Sequence, residues 1–131
     1  MIYILSDHNI EGQSMILWGM MSAEGWPELL NLRFATFDYV SLPYSSSDRL
    51  VWQFVQEKRM LLLTANRRMK EEDSLEQTIR EENTRNSLPV LTIGSVKKLE
   101  EKVYRDRCVT KILEIVTDLE NFMGTGRIFI P

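Results

Sequence analysis

Short apolar runs alternate with amphipathic stretches along this chain. Five of the runs predict β-strands, at residues 2–6, 34–42, 60–64, 88–93 and 127–131. The runs at 2–6 and 60–64 are apolar without alternation, which is typical of strands buried on both faces of a parallel sheet. The fifth run ends in a proline that cannot donate to a ladder, so we expect this strand at an edge of the sheet.

Helical patterns separate these runs. The amphipathic stretch 10–25 has Asn9 as its candidate N-cap and Met15 among its buried positions. Residues 95–123 form the last helical region, in which the polar segment 104–107 is a candidate break. The order β-α-β-α-β-α-β-α-β predicts an α/β fold, a three-layer α/β/α sandwich around a mostly parallel sheet of about five strands.

Two further stretches bear on the position of a site. The helix after the second strand opens at Asp48, and Ser45 and Ser47 are both candidates for its N-cap. The strongly charged stretch 67–87 predicts either a solvated helix or a cover over the ends of the strands.

Length and composition indicate what class of protein this chain belongs to. The 131 residues suit a single domain spanning 1–131, and a net charge of −3 argues against a protein that coats nucleic acid by charge alone. Cys108 is the only cysteine, so no internal disulfide is possible and we expect a cytoplasmic, reducing setting. No signal peptide is recognised, and no apolar run approaches the roughly 20 residues of a membrane span, so no membrane partner is expected.

Polar side chains follow the predicted strands where each strand ends. In chain order they include Asp7, His8, Asn9, Asp48, Thr64, Asn66, Arg67, Arg68 and Ser95. The carboxyl ends of parallel strands share one edge of a sheet, where ligands bind in open α/β folds. Clustered carboxylate and amide oxygens suit hard cations such as Mg²⁺ or Mn²⁺, which can hold a phosphate or activate water.

Structural roles also account for several of these residues. Asp48 at a helix start interacts favourably with the helix dipole, and Asn66 can be a turn residue. His8 is the only histidine, which argues against a zinc site. Asp7 is harder to explain structurally, because a carboxylate beside a buried strand must be paired or solvated in a cleft.

Three short motifs resemble the PIN-like domain family. Residues 7–9 (Asp-His-Asn) are similar to the Asp-Glu-Asn start of small PIN-like proteins, and residues 47–48 (Ser-Asp) to their helix start. Residues 62–66 (Leu-Leu-Thr-Ala-Asn) resemble their strand that ends in Thr-x-Asp. The resemblance covers most of 1–66 and extends through the strand at 88–93.

The resemblance implies an α/β/α fold with an acidic, Mg²⁺- or Mn²⁺-dependent ribonuclease site. Many members of the family are toxins of toxin–antitoxin pairs, so an antitoxin is an implied protein partner. Carried over, Asp7 and Asp48 are metal ligands and Asn66 occupies a usual acidic position. His8 stands where glutamate is common, so this chain has fewer acids than the family pattern.

Two functional hypotheses follow. In the first, the protein is a metal-dependent ribonuclease, toxin-like but with a weakened acidic site, that acts on single-stranded RNA. Asp7 and Asp48 are then catalytic residues, and Asn66 joins them as a metal ligand. The candidate substrate-binding residues are Asn9, Thr64, Arg67, Arg68 and Ser95.

The second hypothesis is a non-catalytic interaction module that kept the PIN-like fold and lost nuclease activity. The missing acids at positions 8 and 66 and the acidic net charge favour it. Residues such as Trp26, Tyr44 and Met69 could then form a contact surface. Under this hypothesis the partner is an antitoxin-like protein or a second copy of the same chain, as in a homodimer.

Overall fold

A parallel five-stranded sheet organises the protein, whose computed structural model describes residues 1–66 and 73–131. The strands are β1 (Ile2–Ser6), β2 (Leu32–Ala35), β3 (Met60–Thr64), β4 (Val90–Ile93) and β5 (Arg127–Ile130). Their order across the sheet is β2-β1-β3-β4-β5, and every pairing is parallel. β1 lies inside the sheet, and the expectation that β5 lies at an edge is confirmed.

Helices cover both faces of this sheet. They are α1 (Glu11–Ala23), α2 (Trp26–Leu29), α3 (Phe37–Val40), α4 (Asp48–Lys58), α5 (Leu75–Glu82) and α6 (Lys102–Thr117). Residues of α1, α2 and α6 pack on one face, and residues of α3, α4 and α5 on the other. The three-layer α/β/α fold is therefore as predicted. None of the described helices is both long and apolar enough to cross a membrane.

Side-chain alternation along the strands divides the core into two clusters. In β3, Leu61 and Leu63 point to the face of α1 and α6, whereas Leu62 points to the face of α4. All five residues of β3 are buried, as the unbroken apolar run predicted. Burial of each such leucine stabilises the fold by roughly 1.5–3 kcal/mol, so this strand is a major part of the core.

The second strand was predicted wrongly as 34–42. β2 ends at Ala35, and Thr36 then caps α3 by accepting a hydrogen bond from the Tyr39 backbone N–H at 3.2 Å. The aromatic residues of this run favoured a strand, but the threonine cap starts a helical turn that buries Phe37.

Three helical details also differ from the prediction. Asn9 is not an N-cap, because it lies inside a 3-10 turn, His8–Ile10, that Asp7 caps. Met15 is 54% exposed on the outer face of α1. The last region is not broken at 104–107: the interruption lies at Glu101, with 3-10 turns before and after α6.

A buried arginine connects β5 to the middle of the sheet. The side chain of Arg127 is 8% exposed and forms an ion pair with Glu76 of α5 at 3.2 Å. Its Nη1 donates to Thr92 Oγ1 of β4 and to the backbone oxygen of Asn66, both at 2.7 Å. A buried cation is tolerated when it is paired and hydrogen-bonded in this way. Arg127 thereby fixes the chain just after β3.

We expect Arg127→Met to lower the free energy of unfolding by about 1.5–3 kcal/mol, because buried hydrogen bonds to a charged group are lost. The matched control is Arg80→Met. Arg80 contacts the same Glu76 at 3.8 Å, but its side chain is 61% exposed, so its loss should change stability by no more than about 0.5 kcal/mol. Urea unfolding measures both variants. Equal losses would show that burial of Arg127 does not matter.

Candidate functional site

A small polar cavity lies at the carboxyl edge of β1 and β3. Its volume is about 70 Å³. Eight side chains were predicted as site residues and six of them are described; five of these six line the cavity, namely Asp7, Asn9, Asp48, Thr64 and Asn66. The prediction that polar residues converge where these parallel strands end is therefore met for this set.

Asp7 is positioned by the pairing of β1 with β3. Its backbone N–H donates to the Leu63 oxygen at 2.8 Å, which extends the ladder one residue past the end of β1. Its Oδ2 accepts a hydrogen bond from the Thr64 hydroxyl at 2.7 Å, and its Oδ1 accepts a long one from Asn9 N–H at 3.5 Å. The carboxylate is half-buried and partly paired, as expected beside a buried strand.

Thr64 holds Asp7 in place and has little freedom to do more. Its side chain is fully buried, and its Oγ1 accepts the Asn66 backbone N–H at 3.0 Å. Because the oxygen accepts from Asn66, the hydroxyl proton is directed to the Asp7 carboxylate. The structure therefore gives Thr64, predicted as a substrate-binding residue, a positioning contact.

Asp48 reaches the cavity from the first turn of α4. Ser47, one of the two predicted caps, accepts the Leu50 N–H at 3.1 Å and starts the helix. The positive end of the helix favours a carboxylate at this position. Asp48 Oδ2 accepts the Asn66 side-chain amide at 2.9 Å and the Leu75 backbone N–H at 3.2 Å.

Asn66 joins the two acids. Its backbone bonds to Thr64, which holds Asp7, and its side-chain amide donates to Asp48. Arg127 of β5 donates to its backbone oxygen at 2.7 Å. The three predicted metal-binding positions thus form one connected network.

One described residue that was predicted to bind substrate, Ser95, falls outside this network. Ser95 follows β4 and does not line the cavity; its N–H donates to the Tyr104 hydroxyl at 3.0 Å and its Oγ accepts the Lys98 N–H at 3.2 Å. Arg67 and Arg68 lie outside the described residues.

Tyr44 also lines the cavity, although the sequence had suggested it only as part of a contact surface. The Tyr44 ring stacks on His8, with centroids 3.6 Å apart and planes inclined by 12°. Its hydroxyl donates to both Asp38 oxygens, at 2.6 and 2.7 Å, and this bond raises the pKa of Tyr44 above its usual value. An aromatic residue in the loop before a capped, acidic helix start was the available signal.

The side-chain oxygens around the cavity are of the kind that a hard cation requires. Asp7, Asp48 and the amide oxygen of Asn66 supply only oxygen, which suits Mg²⁺ or Mn²⁺. Among the described residues there is no group of three or more His, Cys, Asp or Glu side chains that could hold a metal. Two carboxylates suit one ion, whereas a pair of ions needs more bridging acid. The residues therefore fit a single hard cation, provided that the Asn66 amide turns its oxygen toward it.

Comparison with protein-family models, with curated proteins and with solved structures returned no match.

We expect Asn66→Asp to tighten Mn²⁺ binding, because a third carboxylate adds charge and another oxygen donor at the cavity. Without metal, the new carboxylate replaces an amide donor beside Asp48, so like-charge repulsion should lower the melting temperature near neutral pH. Added Mn²⁺ should restore it.

The matched control is Asn86→Asp, which adds the same charge at an exposed turn. Calorimetry and thermal melts with and without Mn²⁺ compare both variants with the wild type. A Mn²⁺-induced rise no larger in Asn66→Asp than in Asn86→Asp would show that position 66 shares no metal site with Asp7 and Asp48.

Proposed function

We propose that this protein is a PIN-like, Mg²⁺- or Mn²⁺-dependent ribonuclease that uses a single ion. One observation carries the proposal: Asp7 after β1 and Asp48 at the start of α4 line the same cavity, joined through Thr64 and Asn66. Acids from separate elements that meet beside an amide are a typical arrangement for binding a cation and a phosphate.

Asp7 and Asp48 would hold the ion, and the Asn66 amide oxygen would complete the protein's ligands. When bound, the ion would polarise the phosphoryl group and lower the pKa of a water. Thr64 keeps the Asp7 carboxylate in one orientation through its hydroxyl. Outer hydrogen bonds of this kind typically change metal affinity or activity by about 10- to 100-fold.

Asp48 is also the candidate for positioning and accepting the proton of the attacking water. Its Oδ2 already accepts the Asn66 amide and the Leu75 N–H. The remaining oxygen, Oδ1, is therefore the atom that would accept the proton. General-base assistance of this kind contributes about 10²–10⁴-fold to a rate.

The small size of the cavity supports a substrate that lies outside it. A volume of about 70 Å³ accommodates an ion and a few waters, whereas pockets that enclose small molecules measure roughly 300–1,000 Å³. The scissile phosphate would therefore lie across the mouth. Asn9 is exposed at this mouth, and we assign it, together with Arg67 and Arg68, to holding the phosphate.

The cellular setting is part of the same proposal. The only cysteine, Cys108, is buried, which is consistent with a reduced cytoplasmic protein. Burial raises the pKa of the Cys108 thiol to about 11, so it is not a reactive thiolate at neutral pH. A toxin-like ribonuclease in the cytoplasm would require an antitoxin partner.

The bond between Asn66 and Asp48 favours a second candidate, the non-catalytic interaction module. The amide nitrogen of Asn66 faces the carboxylate at 2.9 Å, so the acid is satisfied within the protein. An acid paired in this way can serve structure alone. Such a module would keep the fold and bind a protein partner without a metal.

We expect Mn²⁺-dependent cleavage of single-stranded RNA by the wild type. Because Asp7→Asn and Asp48→Asn each remove a carboxylate ligand, either should lower the rate by about 100-fold or more. Asp106→Asn is the matched control, since Asp106 is a half-exposed acid on α6 away from the cavity. It should cleave as the wild type does.

The comparison also separates the two candidates. Equal activity in the wild type and Asp7→Asn would mean that a contaminant or another site cleaves the RNA, and would reject the ribonuclease. Absence of cleavage, together with no Mn²⁺ binding by calorimetry and a stoichiometric protein partner, would establish the interaction module.

A further inference from the structure

An aromatic ring stands at the mouth of the candidate site without being covered. Tyr44 lines the cavity together with Asp7 and Asp48, yet the residue is 54% exposed. Large exposed aromatic side chains are ordinary when isolated and mobile. Tyr44 differs because several contacts fix its ring in place.

Contacts on one face and at the tip of the ring fix its orientation. One face stacks on His8, with centroids 3.6 Å apart, and His8 in turn lies 6.2 Å from the buried ring of Phe37. At the tip, the hydroxyl donates to both carboxylate oxygens of Asp38. The three rings therefore form a series that starts in the core and ends at the surface, where Tyr44 is outermost.

The loop that carries Tyr44 is held by its own hydrogen bonds. The backbone N–H of Ser46 donates to the Pro43 oxygen at 3.1 Å, and the Ser46 hydroxyl donates to the same oxygen at 2.7 Å. One residue later Ser47 caps α4. The turn at 43–46 is thereby tied to the helix that presents Asp48, so the ring and the acid keep a fixed relation.

Of the described aromatic rings, only His8 stacks on Tyr44, so the opposite ring face is the surface on which we place a ligand. It is flat, apolar and pre-oriented, so a planar ring can stack on it with little loss of side-chain entropy. The adjacent cavity offers two carboxylates and an amide, which suit a cation-held phosphate. A ligand that contacts both must carry a planar ring close to a phosphate, as a nucleotide does.

We propose that an unpaired nucleobase of single-stranded RNA stacks on the outer face of Tyr44 while its neighbouring phosphate lies at Asp7 and Asp48. The proposal rests on the proposed ribonuclease function and names the substrate feature that the site recognises. A paired base is already stacked inside a duplex, so the platform selects single strands. Since the Tyr44 hydroxyl is bound to Asp38, it reads no base edge, and the stack tolerates any base.

The test measures binding, so it does not depend on cleavage. The probe is a short single-stranded RNA labelled with 2-aminopurine, with Ca²⁺ in place of Mn²⁺. We expect Tyr44→Ala to bind about 5- to 150-fold more weakly, the change that corresponds to ~1–3 kcal/mol for one stacked base. Tyr44→Phe keeps the ring and should bind nearly as the wild type does.

Tyr39→Ala is the matched control. Tyr39 is 69% exposed but lines a different groove, with Tyr3 and Met60 at the amino ends of β1 and β3, so its loss should leave RNA binding unchanged. A second probe that lacks one base distinguishes a lost stacking contact from poor folding of the Tyr44→Ala variant. Across a series of abasic positions, one missing base should weaken binding to the wild type and have no further effect on Tyr44→Ala.

Each outcome decides the proposal. If Tyr44→Ala and the wild type bind the complete probe equally, or if the wild type binds abasic probes as well as complete ones, Tyr44 is not a base platform. The ribonuclease proposal then still stands on the Mn²⁺-dependent assay of Asp7→Asn. If the wild type binds no RNA at all, the base platform is rejected; a protein partner whose binding is lost in Tyr44→Ala would assign the ring to the interaction module instead.

Discussion

The parallel pairing of β1 with β3 is the constraint on which the candidate site depends. Its ladder continues past the end of β1 through the bond from Asp7 N–H to the Leu63 oxygen. This register places the Thr64 hydroxyl against the Asp7 carboxylate, and the two residues that follow β3 bring Asn66 to Asp48. A slip of one residue would turn every side chain of β3 to the opposite face. The buried leucines of both clusters oppose such a slip. The register of β1 and β3 therefore determines both the packing of the core and the geometry of the site.

Charge around the cavity is arranged asymmetrically. Among the described residues, two carboxylates line the cavity, and Arg127, which does not line it, is bonded to Glu76, Thr92 and the Asn66 backbone. Arg127 therefore supports the backbone of the site from outside the cavity. A phosphate that approaches the cavity meets these two carboxylates. An intervening cation is the simplest way to make that approach favourable.

Much of the fold could be predicted because strong local patterns coincided with the tertiary structure. β3 is apolar throughout and its bounds were predicted correctly, since a strand buried on both faces leaves an unbroken run. The run at 34–42 was predicted wrongly as one strand because its aromatic residues favour strands. The helical turn in it starts at the Thr36 cap, which is a single hydrogen bond that the pattern does not reveal. Met15 was wrongly predicted to be buried. Periodicity shows where the apolar stripe of a helix lies, but not which edge of that stripe packs against other elements.

The candidate site was predictable to the extent that the strand ends defined it. Asp7, Asp48 and Asn66 follow from the rule that ligands bind where parallel strands end. Tyr44 does not, because its position depends on a stack with His8 and a bond to Asp38, which no spacing in the sequence encodes. Ser95 was included because β4 is parallel too, but β4 lies on the far side of β3 from β1. Strand order, which the sequence pattern leaves open, excluded it from the cavity.

The two hydrogen bonds that Asp48 Oδ2 accepts have a thermodynamic consequence. One comes from the Asn66 side-chain amide and the other from the Leu75 backbone N–H, so a single oxygen of α4 holds both the residue that follows β3 and the start of α5. Any ligand that draws this oxygen away weakens both hydrogen bonds at once. By reciprocity, whatever strengthens these two bonds disfavours the ligand by the same free energy. The affinity of the site is therefore linked to how firmly the start of α5 is held against α4.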